Sequence, residues 1–192
     1  MKKYYDARAP EYDDWYYGQG QFAGRERPGW TEELEALERA LSSLPPVRTL
    51  DVACGTGYLS RWLPGELVGL DQSDAMLAEA RKRLPRAELV RGDALDGLPF
   101  GDDSFDRVFT GHFYGHLEPD ARARFLAEAR RVAPELVVVD SAGSGEEVQE
   151  RILDDGSRWE VYKRWFEPEQ LLDELGGGRV LHSGRWFVAV AS

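Results

Sequence analysis

Three aspartates and two histidines stand where short apolar runs end, and their spacing suggests what each can do. Asp51 lies inside the end of the run V-R-T-L-D-V and is followed by A-C-G-T-G at Ala53–Gly57. Asp71 ends E-L-V-G-L-D, Asp93 follows A-E-L-V-R-G, and His112 and His116 follow S-F-D-R-V-F-T. Glycines let a backbone bend sharply or come close to a ligand. A helix start beyond them offers free N–H groups and the positive end of its dipole. An acid at Asp51 would repel a pyrophosphate but suits an ammonium group. A carboxylate at Asp71 can accept two hydrogen bonds from a ribose diol. Asp93 can accept from an exocyclic amine while the Ala94 N–H donates to a ring nitrogen, which together read an adenine edge. A histidine titrating near neutrality is the natural general base for a hydroxyl or amine.

The elements that must hold these groups are predicted by periodicity and breakers. Val47–Val52 is a buried strand, and Tyr58–Leu63 after the glycine turn is a helix start. Glu66–Asp71, Ala87–Gly92, Ser104–Thr110 and Glu135–Ser141 are further strands. Between them lie helices from Ser73 or Asp74 to Leu84 and over Asp120–Val132. Ahead of the first strand, Thr31 reads as an N-cap with Glu32 and Glu33 in the first turn, and Leu34, Leu37 and Leu41 recur at helical spacing. Later, Glu146–Leu153 reads as an acidic helix and Pro168–Leu175 as another. Arg179–His182 and Trp186–Ala191 close the chain as two strands. Residues 1–30 hold Tyr4, Tyr5, Tyr12, Tyr16, Tyr17, Trp15 and Trp30 with no strand alternation. A short helix over Tyr4–Trp15 and a loop through Gly18–Gly29 fit them, and such aromatic density can cover an apolar pocket.

Taken in order, these motifs resemble the class I S-adenosylmethionine-dependent methyltransferases, in particular the small-molecule enzymes of the type 11/25 group. D-x-A-C-G-T-G is similar to the family's motif I, with Ala53 where Gly is frequent. L-V-G-L-D-Q-S-D-A-M-L, the G-D-A step with its L-P-F segment, and the F-D-x-V strand start are similar to later family features. Y-Y-D-A-R-A-P-E-Y-D resembles the segment that closes over the cofactor. The likeness covers about Thr31–Ser192 and is strongest over Val47–Leu117.

The resemblance implies an open, seven-stranded, mostly parallel α/β sheet of Rossmann type, a three-layer sandwich of order 3-2-1-4-5-7-6 with a C-terminal antiparallel hairpin. It implies one domain over residues 1–192, with 1–30 an aromatic lid and 143–166 a substrate-side insertion. It implies S-adenosyl-L-methionine as cofactor, held by Tyr12, Asp51, Ala53, Cys54, Gly55, Thr56, Gly57, Asp71, Gln72, Met76, Asp93, Ala94, Leu95, Thr110 and Gly111. The expected acceptor pocket takes in Tyr5, Tyr16, Tyr114, Trp159 and Tyr162, with Trp165 nearby. His112 is the first candidate base and His116 the second, although the family's His at that place is largely structural. The expected reaction is in-line methyl transfer to a small molecule. Alignment is then the protein's main task, since the sulfonium is already an activated donor.

Composition narrows the alternatives. The 192 residues suffice for one domain with a real core. A net charge of −11 argues against a nucleic-acid partner, because phosphate neutralisation needs excess Lys and Arg. The lone Cys54 excludes an internal disulfide and a multi-cysteine metal site, and no metal is expected. No apolar run approaches the ~18 residues of a membrane span, and M-K-K-Y-Y-D leads into no apolar signal core, so a soluble cytoplasmic protein, monomeric or homodimeric, is the expectation. Two other readings stay open at this point. A nicotinamide-dinucleotide oxidoreductase is disfavoured by Ser60 at the third glycine position and by Asp51. A non-enzymatic binding module on the same fold is the other.

Overall fold

The apolar run after Pro45-Pro46 forms β1 (Val47–Val52), buried from Thr49 onwards. The structure is a computed structural model and describes residues 1–192. Along the chain follow β2 (Gly65–Asp71), β3 (Glu88–Arg91), β4 (Arg107–Gly111), β5 (Glu135–Ser141), β6 (Glu146–Ile152), β7 (Arg158–Arg164), β8 (Arg179–Ser183) and β9 (Phe187–Ala191). Seven of them form one sheet in the order β3-β2-β1-β4-β5-β9-β8. β6 and β7 pair only with each other, so the sheet strands, counted alone, run 3-2-1-4-5-7-6, as expected. β1 to β5 are parallel, and β9 runs antiparallel between β5 and β8.

The helices are α1 (Lys2–Arg8), α2 (Asp14–Tyr17), α3 (Trp30–Ser42), α4 (Asp74–Arg83), α5 (Pro119–Val132) and α6 (Pro168–Glu174). Successive strand residues face opposite sides, so β5 divides its valines between two cores. Leu136 and Val138 pack with Phe125 and Val132 of α5 and Leu171 of α6. Val137 and Val139 pack with Leu37 and Leu41 of α3 and with Phe109 and Phe187. Both faces are covered, which is why the parallel strands read as continuous apolar runs. No helix is long and apolar enough to cross a membrane.

Register brings the site residues to one edge. Asp51 pairs with Gly69 on one side and Phe109 on the other, Asp71 with Arg91, and Gly111 with Val139. All lie at or near the carboxyl ends of their strands. Above that edge sits the N-terminal segment. Asp13 accepts from Arg83 at 2.5 Å and from the Thr56 hydroxyl at 2.7 Å, and Asp6 accepts from the Ser73 hydroxyl at 2.6 Å. Tyr16 stacks on Tyr58 with ring centroids 3.6 Å apart. Tyr4 packs with Leu153 and Val161 of the β6–β7 region.

Four elements differ from expectation. The stretch after the glycine turn is only a 3₁₀ turn, Ser60–Trp62, because Pro64 disfavours helix in the residue before it. The N-terminal helix is broken into α1, a 3₁₀ turn at Ala9–Glu11, and α2; Pro10 removes the N–H a continuous helix needs there. α3 begins at Trp30 with Gly29 (φ +74°) before it, so Thr31 is inside the helix and is not its cap. Its first residue is tied down by the indole N–H, which donates to the Tyr16 carbonyl at 3.0 Å. Finally, Glu146–Leu153 is not a helix. It forms β6, paired antiparallel with β7 over Glu146↔Arg164 to Ile152↔Arg158. Opposite charges face each other across that ladder at Glu146↔Arg164 and Glu147↔Lys163, and tertiary pairing overrides the helix preference of Glu, Gln and Arg.

Candidate active site

β1 delivers Asp51 to the sheet edge with 1% of its surface exposed. One carboxyl oxygen accepts from the Ser60 hydroxyl, and the other, Oδ1, has no partner. Burial pushes this carboxyl up to about 8; the Ser60 hydrogen bond opposes the shift and the Asp71 charge adds to it. An orphaned buried carboxylate oxygen beside a glycine turn is suited to a cationic group. The turn itself carries positive φ at Ala53 (+58°), Gly55 (+54°) and Gly57 (+72°). At Gly57 a Cβ would also stand 2.5 Å from Leu84 Cδ1, so this glycine lets the turn pack against the end of α4.

β2 delivers Asp71. Its Oδ2 accepts the Gly55 N–H at 2.9 Å and its Oδ1 the Ser73 N–H at 2.8 Å. Burial raises its pKa, and these backbone donors hold the rise in check. Each oxygen keeps a second acceptor direction. Around Asp71 the cleft gathers Ala53, Gly55, Gln72, Met76, Asp93, Ala94 and Gly111, with Tyr5 and Tyr12 above them. Asp93 Oδ1 accepts the Leu95 N–H at 3.0 Å, which fixes the turn after β3. The open volume here is about 30 Å³, since the tyrosines rest on the cleft. Asp51, Cys54 and Thr56 line a smaller neighbouring hollow with Tyr12 and Tyr16. Cys54 is buried and its thiol is pushed up by burial, which leaves it inert.

Some expected contacts fall outside these hollows. Gly57 packs on α4 as described. Leu95 points to solvent, 39% exposed, and only its N–H serves the turn. Thr110 is fully buried and donates to the Val52 carbonyl at 2.8 Å, tying β4 to β1.

A second, larger cavity of about 630 Å³ adjoins the cleft, and Tyr5, Tyr12 and His112 line both. Its walls are the N-terminal segment, the end of β5, the β6–β7 hairpin and the β8–β9 turn. Of the five expected pocket aromatics only Tyr5 lines it. Tyr16 lies in the smaller hollow, stacked on Tyr58. Tyr114 is 1% exposed in the α5 core against Phe125 and Phe166, because the 3₁₀ turn Tyr114–His116 sends it inward. Trp159 is spent on Tyr4 at 5.8 Å, and Tyr162 on Glu146 through its hydroxyl at 2.6 Å. Trp165, Trp15 and Trp186 stand in the wall instead.

Both histidines line the large cavity. His112 has φ +55°, and its N–H donates to the Val139 carbonyl at 2.8 Å. Its Nδ1 lies 3.9 Å from Asp140 Oδ1, while Nε2 is buried without a partner. Burial lowers its pKa to about 4; Asp140 opposes this and Lys163 adds to it, so the ring is neutral at physiological pH. His116 is pulled to about 3, chiefly by burial and also by Lys163. Its Nδ1 meets the Tyr162 carbonyl at 2.7 Å; a carbonyl only accepts, so Nδ1 carries the proton and clamps the hairpin.

Sequence reasoning missed the group that organises this cavity. Asp140 is fully buried, accepts from Lys163 at 2.5 Å and from the Gly115 N–H at 2.7 Å, and its pKa is lowered chiefly by the Lys163 charge against the opposing effect of burial. A Cβ at Gly115 would lie 2.9 Å from Asp140 Oδ1 and 2.6 Å from the Arg164 carbonyl. Also missed were the cavity's arginines, Arg8, Arg25, Arg151 and Arg185. The signal available was an acid at the end of the apolar strand E-L-V-V-V-D-S, and Lys163 on the same face of β7 as Val161.

Residues 49–135 match the model of a methyltransferase domain family. Among curated proteins, the chain is 44% identical over 95 residues to a phthiotriol/phenolphthiotriol dimycocerosates methyltransferase of Mycobacterium tuberculosis, covering 44% of this chain and 33% of that protein. It is 42% identical over 92 residues to the demethylmenaquinone methyltransferase of Thermotoga maritima, covering 45% and 39%. The chain thus spans between a third and two fifths of the length of these two relatives. The solved DhpI-SAM-HEP complex superposes with a TM-score of 0.78 at 28% identity, covering 99% of this chain and 94% of that one. Sheet order, strand-end acids and these likenesses together support a class I S-adenosylmethionine-dependent methyltransferase fold, with the methyltransferase-domain match centred on residues 49–135.

Proposed function

We propose that the protein transfers the methyl group of S-adenosylmethionine to a small-molecule acceptor. The observation that carries this reading is the junction of two hollows through Tyr5, Tyr12 and His112. A donor in the strand-end cleft and an acceptor in the larger cavity meet there.

In this reading Asp51 Oδ1 takes the cofactor's ammonium group and Asp71 its ribose hydroxyls. Asp93 and the Ala94 N–H take the adenine, and Gln72 and Met76 flank it. Ala53, Gly55 and Gly111 allow close approach. The cofactor supplies an activated methyl on a sulfonium, so alignment and water exclusion are what the chain must add. The N-terminal thirty residues act as the lid. With so little open volume under Tyr5 and Tyr12, they must lift for the cofactor to enter. His112, neutral and with Nε2 free, is the candidate base at the junction, and His116 serves to hold the hairpin. An acid at Asp51 and Ser60 in place of a third glycine both speak against a nicotinamide dinucleotide. The acidic chain favours small molecules over nucleic acid as partners, and a cytoplasmic location is the reading kept for it.

The test is titration calorimetry with S-adenosylmethionine and S-adenosylhomocysteine. Micromolar binding of either is expected. Failure of both to bind the folded protein overturns the reading, and NAD binding in their place would replace it.

A further inference from the structure

The large cavity is basic in an acidic protein. The chain carries 35 acids against 24 Lys and Arg, yet the cavity wall holds Arg8, Arg25, Arg151, Lys163 and Arg185 against a single acid, Glu150. Glu150 is already engaged, with Arg158 at 2.7 Å. Among the five cations only Lys163 has a carboxylate partner, Asp140.

The arginines are free in a particular way. Arg8 is only 6% exposed and makes no ion pair; its guanidinium lies 5.9 Å and 5.5 Å from the rings of Tyr4 and Tyr12. Arg25 rests on Phe22 at 4.8 Å and Arg185 on Trp186 at 5.5 Å. Arg151 touches only a neutral group, the Gln149 amide oxygen at 3.1 and 2.5 Å. Gln149, Arg151 and Lys163 share one face of the hairpin by register. On the N-terminal segment Glu11 feels the Arg8 charge but forms no ion pair with it; its Oε2 accepts the Asp154 N–H, its Oε1 has no partner, and burial raises its pKa, which weakens it as a counter-charge. A guanidinium stacked on an aromatic face keeps its donor edge open for an oxyanion. A buried cation without a counter-charge is costly, and a bound anion relieves that cost.

We propose that this cavity binds an acceptor bearing a small oxyanion, planar carboxylate or tetrahedral phosphoryl in type, held by Arg8 and Arg151 and drawn in by Arg25 and Arg185. The proposal rests on the methyltransferase reading for the word acceptor, but the anion site stands on the cavity alone. The same positive wall disfavours a cationic amine.

The test uses the full chain saturated with S-adenosylhomocysteine. Inorganic phosphate and acetate are titrated separately by tryptophan fluorescence at fixed ionic strength, with sodium chloride as control. Saturable binding of one or both is expected, with chloride failing to reproduce it; which of the two binds distinguishes phosphoryl from carboxylate. Arg8→Gln and Arg151→Gln should each weaken it about tenfold or more, the loss of charge-assisted hydrogen bonds. Arg124→Gln, an exposed arginine outside the cavity, should change nothing. If the buried Arg8 variant does not fold, the exposed Arg25→Gln and Arg185→Gln variants should still weaken binding about twofold each. No saturation by either anion at tens of millimolar, or equal binding in all variants, overturns the anion site. S-adenosylhomocysteine binding is read beforehand by calorimetry, so a failed anion titration leaves the methyltransferase reading standing. A chain that binds phosphate but no S-adenosylhomocysteine keeps the anion site and loses that reading.

Discussion

The strand-end cleft and the roofed cavity beside it are built in opposite ways. The cleft is assembled by contiguous segments: each of β1, β2 and β3 has an aspartate within two residues of its carboxyl end, and the sheet places the three side by side. Its polar groups answer mostly to backbone, as Asp71 does to Gly55 and Ser73. The cavity is assembled from distant places in the chain, Arg8 and Trp15 at one end and Arg185 at the other. Its polar groups answer to side chains, above all through Asp140. A site made of strand ends inherits its precision from the sheet. A site roofed by a hairpin and an N-terminal segment depends on a few side-chain ties, and those ties are where it is fragile.

The largest effect should follow from cutting the central tie. Asp140→Ala leaves Lys163, 4% exposed, without its partner, and frees the Gly115 N–H. Breaking a buried pair from one side costs about 3–5 kcal/mol, to be read by denaturant unfolding. The double variant Asp140→Leu with Lys163→Met should recover much of it, because no charge is then stranded. A single-variant loss below about 1 kcal/mol would mean that the roof does not hang on this pair.

Next comes His112, which belongs to both hollows. His112→Ala should lower turnover about 10²-fold, the low end of general-base effects, with S-adenosylhomocysteine affinity within a few fold. Its folded pKa of about 4 lies below the ordinary 6.5. Its burial therefore costs no stability above pH ~6.5 and progressively more as pH falls towards 4. Activity should show no His112 limb above pH 5. Unchanged turnover would instead point to an acceptor oxygen that is already an anion and needs no base.

In the cleft, Asp71→Ala should weaken cofactor binding by roughly 1–3 kcal/mol, and unchanged affinity would remove Asp71 from the ribose. Asp51 gives a subtler signal. Its folded pKa of about 8 is raised above 3.8, so the cofactor-free protein becomes less stable as pH rises through that window. An incoming ammonium favours the carboxylate, so at pH 6.5 binding should release close to one proton per site. Calorimetry in buffers of different ionisation enthalpy measures this, and Asp51→Asn should abolish it.

The same contrast explains what could be read from the chain. The sheet's parallel strands and the three strand-end acids are legible because hydrophobic runs and glycine turns are local signals, whereas the strand order follows only from the family resemblance. The hairpin is not legible: E-E-V-Q-E-R-I has helix-forming residues, and only its partner β7 makes it a strand. Tyr114 and Trp159 have the type and chain position of pocket aromatics. A 3₁₀ turn buries the first, and Tyr4 from the far end of the chain occupies the second. The cavity's arginines carry no motif at all, since their meaning lies in the absence of a carboxylate nearby, and one dimension does not contain that fact.

The smallest expected effect tests the roof's charge without touching its packing. Arg158 and Glu150 form an exposed pair, with side chains 64% and 55% accessible. Such pairs contribute at most about 1 kcal/mol and commonly less, so Arg158→Ala should leave the melting temperature almost unmoved. It does, however, uncover Glu150 at the cavity wall, the one acid among five cations. A charge about 10 Å away through water is worth roughly 0.4 kcal/mol, or about twofold in affinity. Anion binding should therefore weaken about twofold in Arg158→Ala and recover in the double variant with Glu150→Gln. That recovery separates electrostatics from shape, because a cavity that selects by fit alone has no reason to respond to the second substitution.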